Sequence, residues 1–175
     1  MPPLFTRMPD PLHLEFSLGA DRYLLPVECI VEVLPVPALK ALPGAPAGVV
    51  GVLNHRGRAV PVIDLARIAL GRAAAERRAT RLVLVHYPTR PAPRPLGVIV
   101  EQATDLVRLA ARELAPAGAP GAAWLSGVAA TGRGAAAGLT QRVEVEGLLP
   151  PELRAVLFEA AEGALADESS SEELR

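Results

Sequence analysis

The first apolar and polar residues of the chain alternate in the way expected of a β-hairpin. Positions 12, 14, 16 and 18 are apolar while 13, 15 and 17 are polar, which is the period of a strand with one buried face. Residues 19–22 supply a turn, and Tyr23, Leu25 and Val27 resume the alternation. Residues 28–34 fit a short helix as well as a strand, and the prolines in 34–48 predict a loop there.

A second hairpin is predicted from two apolar runs, 49–53 and 59–65. The segment between them, Asn54-His55-Arg56-Gly57, predicts a type I turn, because Asn favours its first position and Gly its fourth. Asp64 is then expected to cap a short helix that runs to about Leu70 and ends at Gly71.

The middle of the chain holds further strands, and its end holds a helix. Runs 82–85 and 96–100 are continuously apolar, so both faces of those strands should be covered, and the proline-rich 88–95 between them predicts a loop. Additional strands are expected near Leu106 and after Trp124, and Glu144 and Glu146 are expected to share one strand face. So many short strands indicate a barrel or a sandwich.

The two ends of the chain are assigned by composition and by helical periodicity. Apolar residues spaced three and four apart predict a C-terminal helix over 150–166, with prolines at its start. Residues 167–175 are expected to be an acidic tail and 1–11 a flexible N-terminus.

Composition narrows the classes of protein that remain. The chain has 175 residues, of which 50% are hydrophobic, which indicates one folded domain of ordinary size or two very small domains that share a core. Its formal net charge of −1 makes nucleic acid an unexpected partner. Cys29 is the only cysteine, so disulfide scaffolds and thiolate zinc sites are not expected. No apolar run approaches the length of a membrane span, so we expect a cytoplasmic protein without direct membrane insertion.

No catalytic motif or cofactor motif stands out in the sequence. The one lysine, Lys40, is followed by Ala41, which excludes a phosphate-binding loop ending in Lys-Ser or Lys-Thr. The histidines His13, His55 and His86 stand singly, so no metal and no cofactor is expected. Arg56 is different: on a tight turn its planar guanidinium is held ready to bind a carboxylate, although a solvated turn residue is the plainer interpretation.

Several motifs taken together resemble the CheW-like domain of bacterial chemosensory coupling proteins. The resemblance covers residues 12–149, and its most specific part is the N-x-R-G turn followed by the run V-P-V-I-D-L, after the tyrosine-containing hairpin. The other matching segments are Ile30-Val31-Glu32-Val33, Leu96-Gly97-Val98-Ile99-Val100, Thr104-Asp105-Leu106 and Trp124-Leu125-Ser126-Gly127-Val128.

The resemblance implies a mainly β fold of two intertwined small five-stranded β-barrels, followed by the C-terminal helix. One barrel would take most of residues 18–80, and the other would take 12–17 with 81–149. Proteins of this family are non-catalytic adaptors that join the signalling tip of methyl-accepting chemoreceptors to the regulatory domain of a CheA-type histidine kinase. Recruitment to membrane-associated receptor arrays is implied as well.

Positions of the family's receptor contacts carry over to five residues of this chain. The apolar Ile30 and Leu106 would contact a receptor helix, Gly97 would allow close backbone approach, and Glu32 with Arg56 would fix the register by charge. The turn itself would depend on Asn54 and Gly57. Where many relatives have an apolar residue in the turn this chain has His55, and its last strand, 140–146, is unusually polar, which suggests an auxiliary chemosensory pathway.

Two other classes of function remain at this stage. A small regulatory barrel that closes around a metabolite is the main alternative, although six aromatic residues are few for a ligand pocket. An enzyme is the least favoured class, because the sequence offers no nucleophile with a base and no metal ligands at usable spacing.

Overall fold

Ten β-strands and two α-helices make up the described part of the chain, which comprises residues 9–89, 91–117, 122–132 and 137–172 of a computed structural model. Three short 3-10 helices, Val27–Cys29, Ala111–Glu113 and Val145–Leu148, connect some of these elements. The strands and helices are β1 Leu12–Leu18, β2 Asp21–Pro26, β3 Ile30–Pro35, β4 Val49–His55, β5 Arg58–Asp64, α1 Leu65–Leu70, β6 Arg81–Tyr87, β7 Arg94–Arg108, β8 Ala115–Pro116, β9 Leu125–Thr131, β10 Gly138–Val143 and α2 Pro151–Glu172.

Strand β7 is long enough to belong to two sheets. Its first half, 94–100, pairs antiparallel with β6 and parallel with β5, while its second half pairs antiparallel with β1. We call the first sheet unit I; it contains β3, β4, β5, β6 and the first half of β7. Unit II contains the second half of β7 with β1, β2, β8, β9 and β10.

The expected fold class is confirmed, a mainly β fold with a C-terminal helix, but the division of the strands differs from the predicted boundaries. Strand β2 pairs with β1 and β10 in unit II, and β6 pairs with β3 and β7 in unit I, so the units do not separate at residues 18 and 80. Within the described ranges neither unit is closed by a continuous ladder between its end strands. In unit I the segment after β3 pairs with β4 through an isolated antiparallel bridge between Lys40 and Val52.

A large hydrophobic core lies where the two units face each other. Unit II contributes Phe16 and Tyr23 to it, and unit I contributes Ile63, Val83 and Val98. Each unit also has a smaller interior of its own, centred on Val62 and Leu84 in unit I and on Leu24 and Leu109 in unit II. The continuously apolar runs in β6 and β7 are buried on both faces as predicted, because one face meets the shared core and the other meets the interior of unit I.

Helix α2 packs against β4 and β5 and buries Leu157, Phe158 and Ala161. It extends to Glu172, beyond the 150–166 predicted, so part of the expected acidic tail is helical. Arg94 forms an ion pair with Glu162, and its guanidinium carbon lies 4.7 Å from the ring centroid of Phe158, which further anchors the helix. Residues 1–8 of the predicted flexible N-terminus and residues 173–175 of the predicted acidic tail lie outside the described residues.

Two local predictions are corrected by the structure. The hairpin between β4 and β5 is confirmed, but its two-residue loop has φ of 54° at Arg56 and 80° at Gly57, which is the signature of a type I′ turn and excludes type I. Glu144 and Glu146 do not share a strand face, because β10 ends at Val143 and a 3-10 helix follows.

The predicted cap at Asp64 is confirmed and joins two segments of chain. Its Oδ1 accepts hydrogen bonds from the backbone nitrogens of Ala66 at 2.9 Å and Arg67 at 3.3 Å, and α1 ends at Gly71 with φ of 68°. Its Oδ2 accepts a hydrogen bond from the nitrogen of Ala74 at 2.8 Å, so the loop after α1 depends on the same carboxylate.

We expect Asp64→Ala to lower the free energy of unfolding by about 1 kcal/mol, because it removes a helix cap and the acceptor for Ala74. Urea denaturation followed by circular dichroism measures this loss. Asp64→Asn is the matched control, since the amide oxygen keeps one acceptor and should retain part of the stability. A midpoint unchanged in Asp64→Ala would contradict the role of the cap.

Candidate functional site

The turn between β4 and β5 brings two basic side chains to one carboxylate. Glu32 on β3 has its Oε2 atom 3.4 Å from Nε2 of His55 and 3.5 Å from Nη2 of Arg56. In the sheet, β3 pairs with β6 and has no ladder with this hairpin. The contacts of Glu32 therefore link two segments that do not pair directly. Sequence reasoning paired Glu32 with Arg56 through the resemblance, and the structure does bring them together.

The conformation of Arg56 is costly for the folded chain. A non-glycine residue in the left-handed region, as Arg56 is, lowers the stability of the folded state by about 1 kcal/mol. Asn or Gly is preferred at such a position of the turn. Its side chain is 79% exposed, so its contact with Glu32 contributes little stability. Residues held in such conformations cluster at functional sites, which makes this turn a candidate for binding.

Asn54 and Gly57 are linked by a hydrogen bond across the turn. The Gly57 nitrogen donates a hydrogen bond of 3.0 Å to Oδ1 of Asn54, and the positive φ of Gly57 carries no side-chain penalty. Together they fix the direction in which Arg56 leaves the hairpin.

An exposed apolar stripe lies beside this charged group and was not predicted. Strand β3 alternates half-buried Ile30, Glu32 and Leu34 with exposed neighbours, and Val31, Val33 and Val36 are 44%, 43% and 42% exposed. The sequence did not reveal it because residues 28–34 fitted helix and strand equally well. Exposed branched side chains on an edge strand are suited to contact with another protein.

Gly97 is placed in the interior of unit I rather than on a surface. It is buried on β7 between Leu84 of β6 and Val62 of β5. A Cβ atom at Gly97 would lie 2.9 Å from Cγ2 of Val62 and 3.0 Å from Cδ1 of Leu82, so this glycine permits close packing of strands. The close approach predicted at Gly97 therefore occurs within the protein, and the structure does not present this residue to a partner.

The two predicted apolar contacts lie in different units. Ile30 is half-buried and packs against the shared core next to Glu32. Leu106 is 61% exposed and pairs with Leu14 in unit II, nine residues beyond Gly97 on the same strand. The structure thus brings Glu32 and Arg56 together, with Ile30 two residues before Glu32 on β3, and it places Leu106 on unit II.

The strongest electrostatic arrangement lies at the junction of the two units rather than at the turn. Glu101 is 5% exposed, and bidentate contact with the guanidinium of Arg72 lowers the pKa of its carboxyl to about 2. This carboxylate also accepts a hydrogen bond from the nitrogen of Ala75 at 2.7 Å. The group secures the loop after α1 to the middle of β7.

Groups suited to a metal ion or a membrane span were also sought among the described residues. No cluster of three or more His, Cys, Asp or Glu side chains there is arranged to hold a metal ion. None of the described helices combines the length and the apolar character needed to cross a bilayer.

Comparison with known proteins points to one family. The model of the CheW-like domain family matches residues 13–150. Among curated proteins, the chemotaxis protein CheW of Rhizobium meliloti is 26% identical over 103 residues, which span 59% of this chain and 64% of that protein. The protein FrzA of Myxococcus xanthus is 33% identical over 102 residues, which span 58% of this chain and 61% of that protein.

A solved structure agrees with the fold. The crystal structure of the scaffolding protein TtCheW from Thermoanaerobacter tengcongensis superposes with a TM-score of 0.71, at 21% sequence identity, covering 85% of this chain and 92% of that one. The matches to the first curated relatives span about 60% of their length. Because the family model covers more than three quarters of the sequence, the chain belongs to the CheW-like domain family.

Proposed function

We propose that this protein is a non-catalytic adaptor that couples chemoreceptors to a CheA-type histidine kinase in a chemosensory pathway. The observation that carries the proposal is the exposed Arg56 on a strained turn, next to Glu32, within a CheW-like domain. Its similarity to a chemotaxis protein and to a scaffolding protein supports the same role. The comparisons do not favour the small regulatory barrel considered from the sequence.

The geometry suits recognition of a helical receptor tip. Arg56 projects from the hairpin and offers hydrogen-bond donors for a carboxylate on the partner. Glu32, which also contacts His55, positions the guanidinium of Arg56. Ile30 and, on the other unit, Leu106 would add apolar contact, and Gly97 would act only by shaping the sheet beneath.

Reconstitution tests the adaptor role. The purified protein is mixed with a receptor signalling fragment and its cognate kinase, and complex size and kinase activity are measured. We expect a ternary complex in which the receptor alters kinase activity only when this protein is present. Failure to form it, with each partner folded, would contradict the proposal.

Arg56→Glu is expected to weaken receptor binding by about 1 kcal/mol, or about fivefold in Kd, because an exposed charge is replaced by its opposite. Titration calorimetry with the receptor fragment measures the change, and the thermal midpoint should stay close to that of the unmodified protein. Exposed turn positions seldom affect stability much, and this substitution leaves the backbone strain in place.

A matched control uses Arg112, whose side chain is 64% exposed on the 3-10 helix of unit II. Arg112→Glu makes the same change of net charge at a distant position, so it should leave the receptor affinity unchanged. Equal losses in both variants would reveal a general effect of charge. An unchanged Kd in Arg56→Glu would remove Arg56 from the site.

A further inference from the structure

Unit II has a pocket at the end of its interior that the adaptor role does not use. The pocket has a volume of about 460 Å³. Its apolar lining includes Leu12, Pro26, Leu109 and Leu114, and its three polar residues are His13, Glu28 and Arg142. Pockets of this size that combine an apolar lining with a few polar groups are typical of small-molecule sites.

His13 gives this pocket an unusual feature. It is 2% exposed, and within the part of the chain that the structure describes its Nδ1 atom has no hydrogen-bond partner. Burial, followed by the nearby charge of Arg142, lowers the pKa of the imidazole, which keeps the ring neutral at pH 7. Hydrogen bonding to the backbone of Pro11 and Val107 acts in the opposite direction on this pKa, and Nδ1 is not accessible from the pocket, so His13 forms part of the pocket wall.

Register places His13 and Arg142 on the same inner face of unit II. His13 pairs with Pro26 of β2, and Arg142 of β10 pairs with Leu24, which precedes Pro26 by two residues and shares its face. Arg142 is held by its Nη1 atom, which lies 2.9 Å from Oγ of Ser126 and 3.6 Å from Oε2 of Glu144. The guanidinium is thus fixed at the wall of the pocket.

Glu28 supplies the opposite charge. It lies on the 3-10 helix after β2, is exposed, and lines the same pocket. Its charge raises the pKa of His13 whereas that of Arg142 lowers it, so both groups are near the imidazole. One cationic and one anionic group beside an apolar surface match a molecule that is a zwitterion with a hydrocarbon side chain.

We propose that this pocket binds a small zwitterion with an apolar side chain, of the chemical class of the hydrophobic amino acids. Arg142 binds its carboxylate, Glu28 binds its ammonium group, and Leu109 and Leu114 contact its hydrocarbon part. His13 forms part of the pocket wall. This site is additional to the adaptor role and does not depend on it.

The proposal is tested by titrating the full chain with leucine and monitoring the amide resonances of the protein by NMR spectroscopy. For a ligand of so few atoms we expect a Kd on the order of 1 mM, with shifts confined to the pocket. Isocaproate lacks the ammonium group, isoamylamine lacks the carboxylate, and serine lacks the hydrocarbon, so each should bind at least about tenfold more weakly. Absence of leucine-dependent shifts, shifts located elsewhere, or equal binding of isocaproate would overturn the proposal.

Variants distinguish the pocket from nonspecific binding. Arg142→Gln and Glu28→Gln should each weaken leucine binding about tenfold, while Arg77→Gln on an exposed loop of unit I should not change it. Leucine affinity that stays the same in Arg142→Gln and Glu28→Gln would contradict the assignment.

Discussion

Gly97→Val is expected to lower the free energy of unfolding by about 3 kcal/mol. The new side chain would begin 2.9 Å from Val62 and 3.0 Å from Leu82, and both of those residues are 0% exposed. Neither neighbour can move into solvent, so β5, β6 or β7 must shift and the small interior of unit I must repack. Urea denaturation at pH 7, followed by tryptophan fluorescence and circular dichroism, measures the change.

A graded series separates packing from partner contact at this position. Gly97→Ala should lower the free energy of unfolding by less than Gly97→Val does. The double variant Gly97→Ala with Val62→Ala should lose less stability than the sum of the two single losses, because the smaller residue at position 62 makes room for the new methyl group. Receptor affinity, measured on the fraction that is folded, should be almost unchanged in Gly97→Ala. A variant of full stability that had lost receptor binding would instead make Gly97 a contact residue.

The accuracy of the sequence interpretation followed the local nature of each signal. Both hairpins and the Asp64 cap depend on neighbouring residues, and the structure has each of them. The division into units depends on which distant strands pair, and the pattern of apolar residues does not encode that choice. Strand β7 illustrates this, because its first half is continuously apolar and its second half is polar, yet it is one strand shared by two sheets.

The candidate site shows the same limit. Arg56 could be found from the sequence because the turn is a local motif, but its positive φ depends on the two-residue loop that the register imposes. The continuously apolar run 96–100 predicted burial around Gly97, and only the resemblance assigned this residue a contact with a partner. The inner face of unit II that holds His13 and Arg142 arises because the first and last strands, which are more than a hundred residues apart, both pair with β2.

Glu101→Gln is expected to lower the free energy of unfolding at pH 7 by about 2 kcal/mol. The pKa of this carboxyl falls from 4.5 to about 2 on folding, chiefly through its contact with Arg72, where Nη1 lies 2.6 Å from Oε1 and Nη2 lies 3.1 Å from Oε2. A shift of that size corresponds to about 3 kcal/mol, and the solvent exposure of Arg72 reduces it. Through its contacts with Arg72 and Ala75, Glu101 connects the loop after α1 to the junction of the units.

The pH dependence provides the decisive measurement. Because the folded state binds the proton less readily than the unfolded state, the contribution of Glu101 is fully present above about pH 4.5 and is lost as the pH falls toward 2. The unmodified protein and Glu101→Gln should therefore differ in urea midpoint at pH 7 and converge as the pH falls toward 2, because the carboxyl of Glu101 becomes protonated over this range. Glu159→Gln, which changes an exposed carboxylate of α2, is the matched control and should show little pH-dependent difference. A constant difference between Glu101→Gln and the unmodified protein across this range would mean that shape, and not charge, is what the junction requires.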